Sequence, residues 1–300
     1  MDYHVPVLLE ESIEGLNIKE SGIYLDLTYG GGGHSREILK YLKSGRLIAF
    51  DQDSDAAGNV LDDEKLTFYQ SNFRFFHNFL KFEKVETVDG ILVDLGISSY
   101  HIEKKERGFS FRFDSNIDMR MNQNSSVSAV NILNEYDFEN LNRIFFTYGE
   151  LYNYKMITNS IINFRKTQKI TTTNHLLRAI STNVPKNQEH KFLARIFQAI
   201  RIEVNEEIEV LKEMLLKTTE ILAQGGRLVV ISYHSLEDRI VKNFFKSGNF
   251  SGELIKDVYG NCITPFNLIS RKAITPGQKE LARNNKSRSA KLRIAEKNYE

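Results

Sequence analysis

Apolar residues fall into two rhythms along the chain. In the first hundred residues short continuous apolar runs alternate with positions three and four apart, the pattern of buried parallel strands and the helices that cover them. This predicts strands at 25–28, 46–50, 66–69 and 88–93, a short helix after the N-terminal segment Val5 to Leu9, and a helix over 35–43. From about residue 102 to 205 the β runs stop. Residues 130–148, 156–164, 174–180 and 192–204 keep helical spacing alone, so an inserted helical domain is expected. A long helix through Val210, Leu211, Met214, Leu215 and Leu222 then meets Gly225-Gly226, read as a stop signal. A fifth strand at 227–232 and closing strands at 268–273 and 289–295 complete an α/β sheet.

The stretch Asp26-Leu27-Thr28-Tyr29-Gly30-Gly31-Gly32-Gly33-His34-Ser35 lies where the first strand turns into the first helix. Glycines at such a turn let the backbone lie directly against a ligand. Neither the dinucleotide fingerprint nor the phosphate loop fits: Ser35 or Arg36 takes the place of the third fingerprint glycine, and no Gly-Lys-Ser or Gly-Lys-Thr follows. Instead the strand ends in Asp26. A carboxylate there repels a pyrophosphate and attracts a cation, which suits S-adenosylmethionine, a ligand with an ammonium, a sulfonium and no phosphate. A glycine turn with a helix-capping acid is the bland alternative.

The ends of the next strands carry further candidates. Asp51, 18 residues past Gly33, is placed to accept hydrogen bonds from two ribose hydroxyls, with Asp53 as its competitor. Phe73 follows the third strand and is positioned to cover an adenine, although it sits among Phe75, Phe76 and Phe79, as core aromatics do. The fourth strand opens into Asp94-Leu95-Gly96-Ile97-Ser98-Ser99 and the fifth into Tyr233-His234-Ser235-Leu236-Glu237-Asp238-Arg239.

Composition narrows the class. Three hundred residues with 41% hydrophobic content build a sizeable core. No apolar stretch approaches the roughly 20 residues of a membrane span, and the N-terminus lacks the basic start of a signal peptide, so a cytoplasmic protein without a membrane partner is expected. The single cysteine, Cys262, excludes an internal disulfide and a cysteine-cluster metal site. Net charge is only +1, but residues 271–300 hold nine Lys/Arg against three Glu, a basic end suited to a polyphosphate partner or to plain solvation.

Taken together the motifs resemble one family, the bacterial small-subunit rRNA cytosine-N4 methyltransferases. The likeness runs nearly the whole length. It is carried by His4-Val5-Pro6-Val7-Leu8-Leu9, the glycine loop, Asp94 to Ser99, Arg107-Gly108-Phe109-Ser110-Phe111, Asp118-Met119-Arg120-Met121 and Tyr148-Gly149-Glu150. Phe197-Gln198-Ala199, Arg201-Ile202-Glu203-Val204-Asn205, Ile231 to Arg239 and Ser287 to Arg293 continue it.

The resemblance implies a Rossmann-like class I methyltransferase sheet, in residues 1–105 and 206–300, that binds S-adenosylmethionine. Residues 106–205 would be the helical substrate-recognition insert. It implies methylation of the exocyclic amine of one cytidine in the decoding region of 16S rRNA, within the small ribosomal subunit, and it permits a homodimer. Cofactor contacts would fall on Gly32, Gly33, His34, Asp51, Phe73, Asp94 and His101, joining Asp26. The chain departs from the family at Tyr100-His101, in place of Pro-Gln, at Leu151, in place of a second glutamate, and at Asn285, in place of proline. Cysteines that some relatives carry near Cys262 are missing, so no metal is expected.

Cytosine N4 is a poor nucleophile, because its lone pair is delocalised into the ring. Catalysis then rests on holding it in line with the methyl donor. Asp94, or the Leu95 carbonyl, is expected to orient the amine, with Ser98, His234 or Ser235 completing the site and His234 taking the proton. A histidine that fixes the loop or binds RNA phosphate is the competing reading. Arg107, Phe109, Arg112, Arg120 and Arg201 are candidate RNA contacts, as are Arg288 and Lys291 in the basic end; pairing with core acids is the alternative for any arginine. Two other functions stay open: methylation of a non-rRNA acceptor, and a non-catalytic ribosome-assembly binder.

Overall fold

A computed structural model describes residues 6–97 and 105–299, the Lys286 side chain excepted. The chain divides into two compact units, Met1–Gly96 with Glu209–Glu300, and Ile97–Ile208.

The first unit begins with α1 (Leu9–Leu16), β1 (Ile23–Asp26), α2 (Gly33–Tyr41), β2 (Arg46–Asp51), α3 (Ser54–Ala57), β3 (Leu66–Gln70), α4 (Phe76–Phe82) and β4 (Val88–Asp94). Ile91, Leu92 and Val93 of β4 are wholly buried, as a central parallel strand covered on both faces requires. The second unit is helical: α5 (Ala129–Glu135), α6 (Phe138–Thr147), α7 (Tyr154–Arg165), α8 (Thr173–Ile180) and α9 (Glu189–Val204). The apolar spacing over 130–148 resolves into two helices, because the Asp137 side chain accepts the Asn140 N–H and restarts the helix as an N-cap.

Helix α10 (Glu207–Ile221) returns the chain to the first unit, followed by β5 (Leu222–Ser232), α11 (Ser235–Ser247), the hairpin of β6 (Ile255–Lys256) and β7 (Cys262–Ile263), β8 (Phe266–Leu268), α12 (Gln278–Arg283) and β9 (Lys291–Lys297). The glycine pair does not stop a helix. It lies inside β5, where Gly225 at φ 72° forms part of a bulge and the register on β4 jumps from Val88↔Leu222 to Gly90↔Arg227. The fifth strand therefore starts five residues earlier than the apolar pattern suggests.

Among the described residues the main sheet has seven strands in the order β3-β2-β1-β4-β5-β9-β8. The strands from β3 to β5 run parallel, and β9 is antiparallel to both neighbours. Strand order reverses at β1, between β2 and β4, and the crevice beyond the carboxyl ends of strands at such a switch is where open α/β sheets bind ligands. Leu8, Ile13 and Leu16 of the N-terminal segment join Ile38 and Leu39 of α2 with Val229, Ile231, Leu292 and Ile294 in one apolar cluster that anchors this edge.

Candidate active site

The glycine loop leaves β1 at the switch point and is fastened from several sides. Asp26 is 1% exposed; one carboxylate oxygen accepts the Ser35 hydroxyl at 2.6 Å and the other the Thr28 N–H at 3.1 Å, tying strand to helix. Burial outweighs these bonds and pushes its pKa up to about 6. The Gly30 N–H donates to Asp51 Oδ2 at 2.8 Å. Gly32 has φ 71°, and a Cβ on it would lie 2.5 Å from the Tyr29 hydroxyl, which is itself held by the Asn59 carbonyl and the Leu61 N–H. A Cβ on Gly33 would stand 2.3 Å from Pro6 Cγ, whereas one on Gly31 would meet nothing within 4 Å. Among the described residues the loop is thus closed toward the protein and open along Gly31, beside the start of α2, where no side chain caps the first amides.

His34 faces inward. Its Nε2 lies 3.1 Å from the Val7 carbonyl, and burial lowers its pKa to about 4, so a neutral imidazole clasps the N-terminal segment onto α2. Asp51 ends β2 with one oxygen on Gly30 N–H and the other on Asp53 N–H at 2.9 Å. A carboxylate oxygen can accept more than one hydrogen bond, so these bonds do not exclude the ribose role. Asp53, its competitor, caps α3 by accepting the Asp55 N–H. Phe73 is half-buried in a short 3-10 turn opened by Asn72, whose amide also donates to Gln52.

At the end of β4 the Tyr233 hydroxyl donates to Asp94 Oδ1 at 2.8 Å, and the Asp94 N–H donates to Thr28 Oγ1 at 2.7 Å. Burial, aided by the charges of Asp26 and Glu237, raises the Asp94 pKa to about 7 against the pull of the Tyr233 bond. Burial and Asp94 in turn push the Tyr233 phenol far up, so it stays a donor. A Cβ on Gly96, at φ 102°, would come within 3.3 Å of the Tyr233 ring, a close approach that seats the ring beside the strand end. Sequence reading assigned neither Tyr233 nor Thr28. The two strand ends meet through the pairing of β4 with β5, which sets Ile231 opposite Asp94 and brings the residues just beyond both ends together.

His234 is the N-cap of α11. Its Nδ1 accepts the Glu237 N–H at 3.3 Å, its Nε2 lies 3.1 Å from Glu237 Oε1, and Glu237 accepts the Tyr233 and His234 N–H groups. This reciprocal box engages Nδ1 in fixing the loop, while the buried Nε2, though near Glu237 Oε1, makes no hydrogen bond among the described residues, so the loop-fixing reading accounts for one ring nitrogen and proton acceptance stays open to the other. Ser235 is exposed at the first position of α11. Ser98 and His101 lie outside the described residues.

The expected RNA contacts separate into two groups. Arg107 is 5% exposed and donates to the Arg120 and Met121 carbonyls at 2.7 and 3.0 Å, with Phe109 buried beneath it. These two are internal fasteners rather than surface contacts, because the backbone of the 118–121 segment needs a buried donor. Arg120 forms a fork on Asp118 and Arg201 a fork on Glu207. Lys291 and Arg293 both pair with Asp238; burial opposes ionisation there, yet the two cations hold its pKa below the usual carboxylate range. Arg112 and Arg288 are exposed, as are Arg271, Lys272, Lys279 and Arg283 in the basic end.

Acids end β1, β2 and β4 around a glycine loop at the switch point of a 3-2-1-4-5 sheet with an antiparallel strand beyond β5, which defines a class I, S-adenosylmethionine-dependent methyltransferase. The residues fit that cofactor. Among the described residues no cation pairs with buried Asp26 or half-buried Asp94, and their raised pKa values fit a site that would take a ligand carrying ammonium and sulfonium groups.

The chain belongs to the MraW methylase family, whose model matches residues 1–298. It is 54% identical over 296 residues to a ribosomal RNA small subunit methyltransferase H from Bacteroides fragilis, covering 98% of this chain and 97% of the relative. Proteins of the same name from Parabacteroides distasonis (54% over 298 residues, 98% of this chain and 97% of the relative) and Flavobacterium johnsoniae (52% over 298 residues, 99% and 98%) are similar in the same way.

Proposed function

We propose that this methyltransferase modifies the N4 exocyclic amine of one cytidine in the decoding region of 16S rRNA, within the small ribosomal subunit, and that the unit Ile97–Ile208 recognises that substrate. The names of relatives above 50% identity support small-subunit rRNA as the acceptor. The observation that carries the amine chemistry is the Asp94 carboxylate, held by the Tyr233 hydroxyl at the end of β4, where Thr28 ties down the Asp94 backbone N–H, with its pKa raised to about 7.

When bound, S-adenosylmethionine supplies the electrophilic methyl group. Gly32 and Gly33 would let the backbone approach it, Asp51 would accept hydrogen bonds from its ribose, Phe73 would cover its adenine, and the charges of Asp26 and Asp94 would favour its cationic end. Ionised Asp94 would accept a hydrogen bond from the amine, turn the nitrogen lone pair toward the methyl donor and receive the proton; the new C–N bond would replace the methyl–sulfur bond, whose electron pair stays on sulfur as a neutral thioether. Tyr233 is a positioning residue that keeps Asp94 ionised and aimed, and the box formed by His234 and Glu237 holds Tyr233 in place.

The test is transfer of tritiated methyl groups to 30S subunits from cells lacking this gene, followed by protection of the decoding region with a complementary oligonucleotide before nuclease digestion. Label in the protected fragment supports the reading. Label elsewhere in 16S rRNA, or on protein or small molecules, assigns a different acceptor.

A further inference from the structure

We infer that the helical unit carries its own pocket for a single-stranded RNA segment, with Tyr152 as a stacking platform and Lys186, Lys191 and Arg195 as phosphate contacts; the inference rests on the reading that the acceptor is RNA. A cavity of about 330 Å³ opens between the turn after α6 and the start of α9. That volume lies at the lower end of the roughly 300–1,000 Å³ of small-molecule sites, room for about one nucleotide. Among the described residues its charged lining consists of these three cations, with no acid.

Tyr152 lies in the lining yet is 82% exposed, a large aromatic surface left to solvent. Nearby in the chain the Tyr154 ring lies 5.1 Å from that of the exposed Phe146, tilted by 53°, and Lys155 reaches over the Tyr154 ring. Aromatics interleaved with cations suit single-stranded nucleic acid, since every base has a face to stack and every linkage a charge to neutralise.

The walls are held in place before any ligand arrives. The Tyr148-Gly149-Glu150 turn, which the methyl-transfer site does not use, places Glu150 at φ 48° so that its carbonyl accepts Arg195, while Gln198 donates to the Tyr148 carbonyl. Asn153 donates to the Asn183 carbonyl and Asn183 to Ser160, fastening the turn to the segment that leads into Pro185 and Lys186. Leu151 and Phe192 form the apolar floor. A rigid, basic, aromatic-edged cavity fits an extended RNA strand better than an acidic peptide, which gains little from an exposed ring.

The test compares wild type with K186A/K191A/R195A and with Tyr152→Ala, using a fluorescein-labelled single-stranded RNA of decoding-region sequence across a salt series, and 30S subunits in turnover. Three lost phosphate contacts lower the slope of log affinity against log salt by about 2 and weaken binding at least about tenfold. Tyr152→Ala weakens binding about tenfold with the slope unchanged. Both raise KM for the subunit while kcat at saturating subunit and S-adenosylmethionine affinity stay as in wild type, and K186R/K191R keeps the wild-type slope. Unchanged affinity and slope in a folded triple variant would overturn the inference, as would unchanged RNA affinity with a raised KM for the subunit, which would assign the face to a ribosomal protein. If wild type methylates no rRNA but the triple variant still loses oligonucleotide affinity, the functional reading fails and this pocket stands.

Discussion

Replacing Tyr233 with phenylalanine removes one hydroxyl and leaves the ring beside Gly96. Its effect follows from the Asp94 carboxylate, which burial lifts to about 7 and the Tyr233 bond at 2.8 Å holds from rising further. A hydrogen bond to a charged group is worth about 1.5–3 kcal/mol, and one pKa unit about 1.4, so losing it lifts Asp94 by about 1 to 2 units. At pH 7 the ionised fraction then drops between about five- and fiftyfold, and kcat/KM falls with it. The assay is the pH profile of kcat/KM for methyl transfer to 30S subunits. Wild type is expected to lose activity as pH falls through about 7, and Tyr233→Phe to lose it through about 8 to 9 while recovering most activity at the alkaline end. A variant that loses activity equally at every pH, with its acid limb unmoved, would refute the role given to Asp94.

Other expectations follow from the same geometry. Gly32→Ala forces a Cβ to within 2.5 Å of the Tyr29 hydroxyl at φ 71°; S-adenosylmethionine affinity by calorimetry should fall at least about tenfold, with about 1–2 kcal/mol of strain in urea unfolding. The raised pKa values of Asp26 and Asp94 mean the folded state holds these protons more tightly than the unfolded chain. Their contribution to stability is therefore greatest below the ordinary value of 3.8 and is lost as pH rises toward about 6 and 7. Without cofactor, Asp94→Asn should then match wild type near pH 4 and exceed its stability by about 2 kcal/mol at pH 8, a figure discounted for partial exposure, while methyl transfer is lost. Wild-type affinity for the cationic cofactor should rise between pH 5.5 and 8. Arg107→Met should cost about 2–4 kcal/mol in urea unfolding by orphaning the Arg120 and Met121 carbonyls, and should leave the salt dependence of RNA binding unchanged.

What the chain discloses by itself is what lies close in sequence. The strand, glycine turn and helix from Ile23 to Tyr41 are local, and Asp51 sits one strand on, so their placement at one sheet edge was legible from spacing. Tyr233 and Asp94 stand 139 positions apart and meet only because β4 pairs with β5, a partnership no local pattern announces. Arginines misled for a related reason: exposed Arg112 directly follows the motif that opens with buried Arg107, and burial is decided by which backbone carbonyls need donors after folding. Gly225 read as a helix stop because its left-handed backbone serves a strand bulge equally well.

The proposed reaction is decided by which atom of the acceptor receives the methyl group. The direct measurement is mass spectrometry of nucleosides from 30S subunits that lack the modification, treated with this protein and S-adenosylmethionine bearing a heavy-isotope methyl. The arrangement of Asp94 and Tyr233 predicts a single heavy product, N4-methylcytidine, absent when Asp94 is replaced by asparagine. Heavy label on a ring carbon or a ribose oxygen, or N4-methylcytidine formed undiminished by the Asp94→Asn variant, would contradict it.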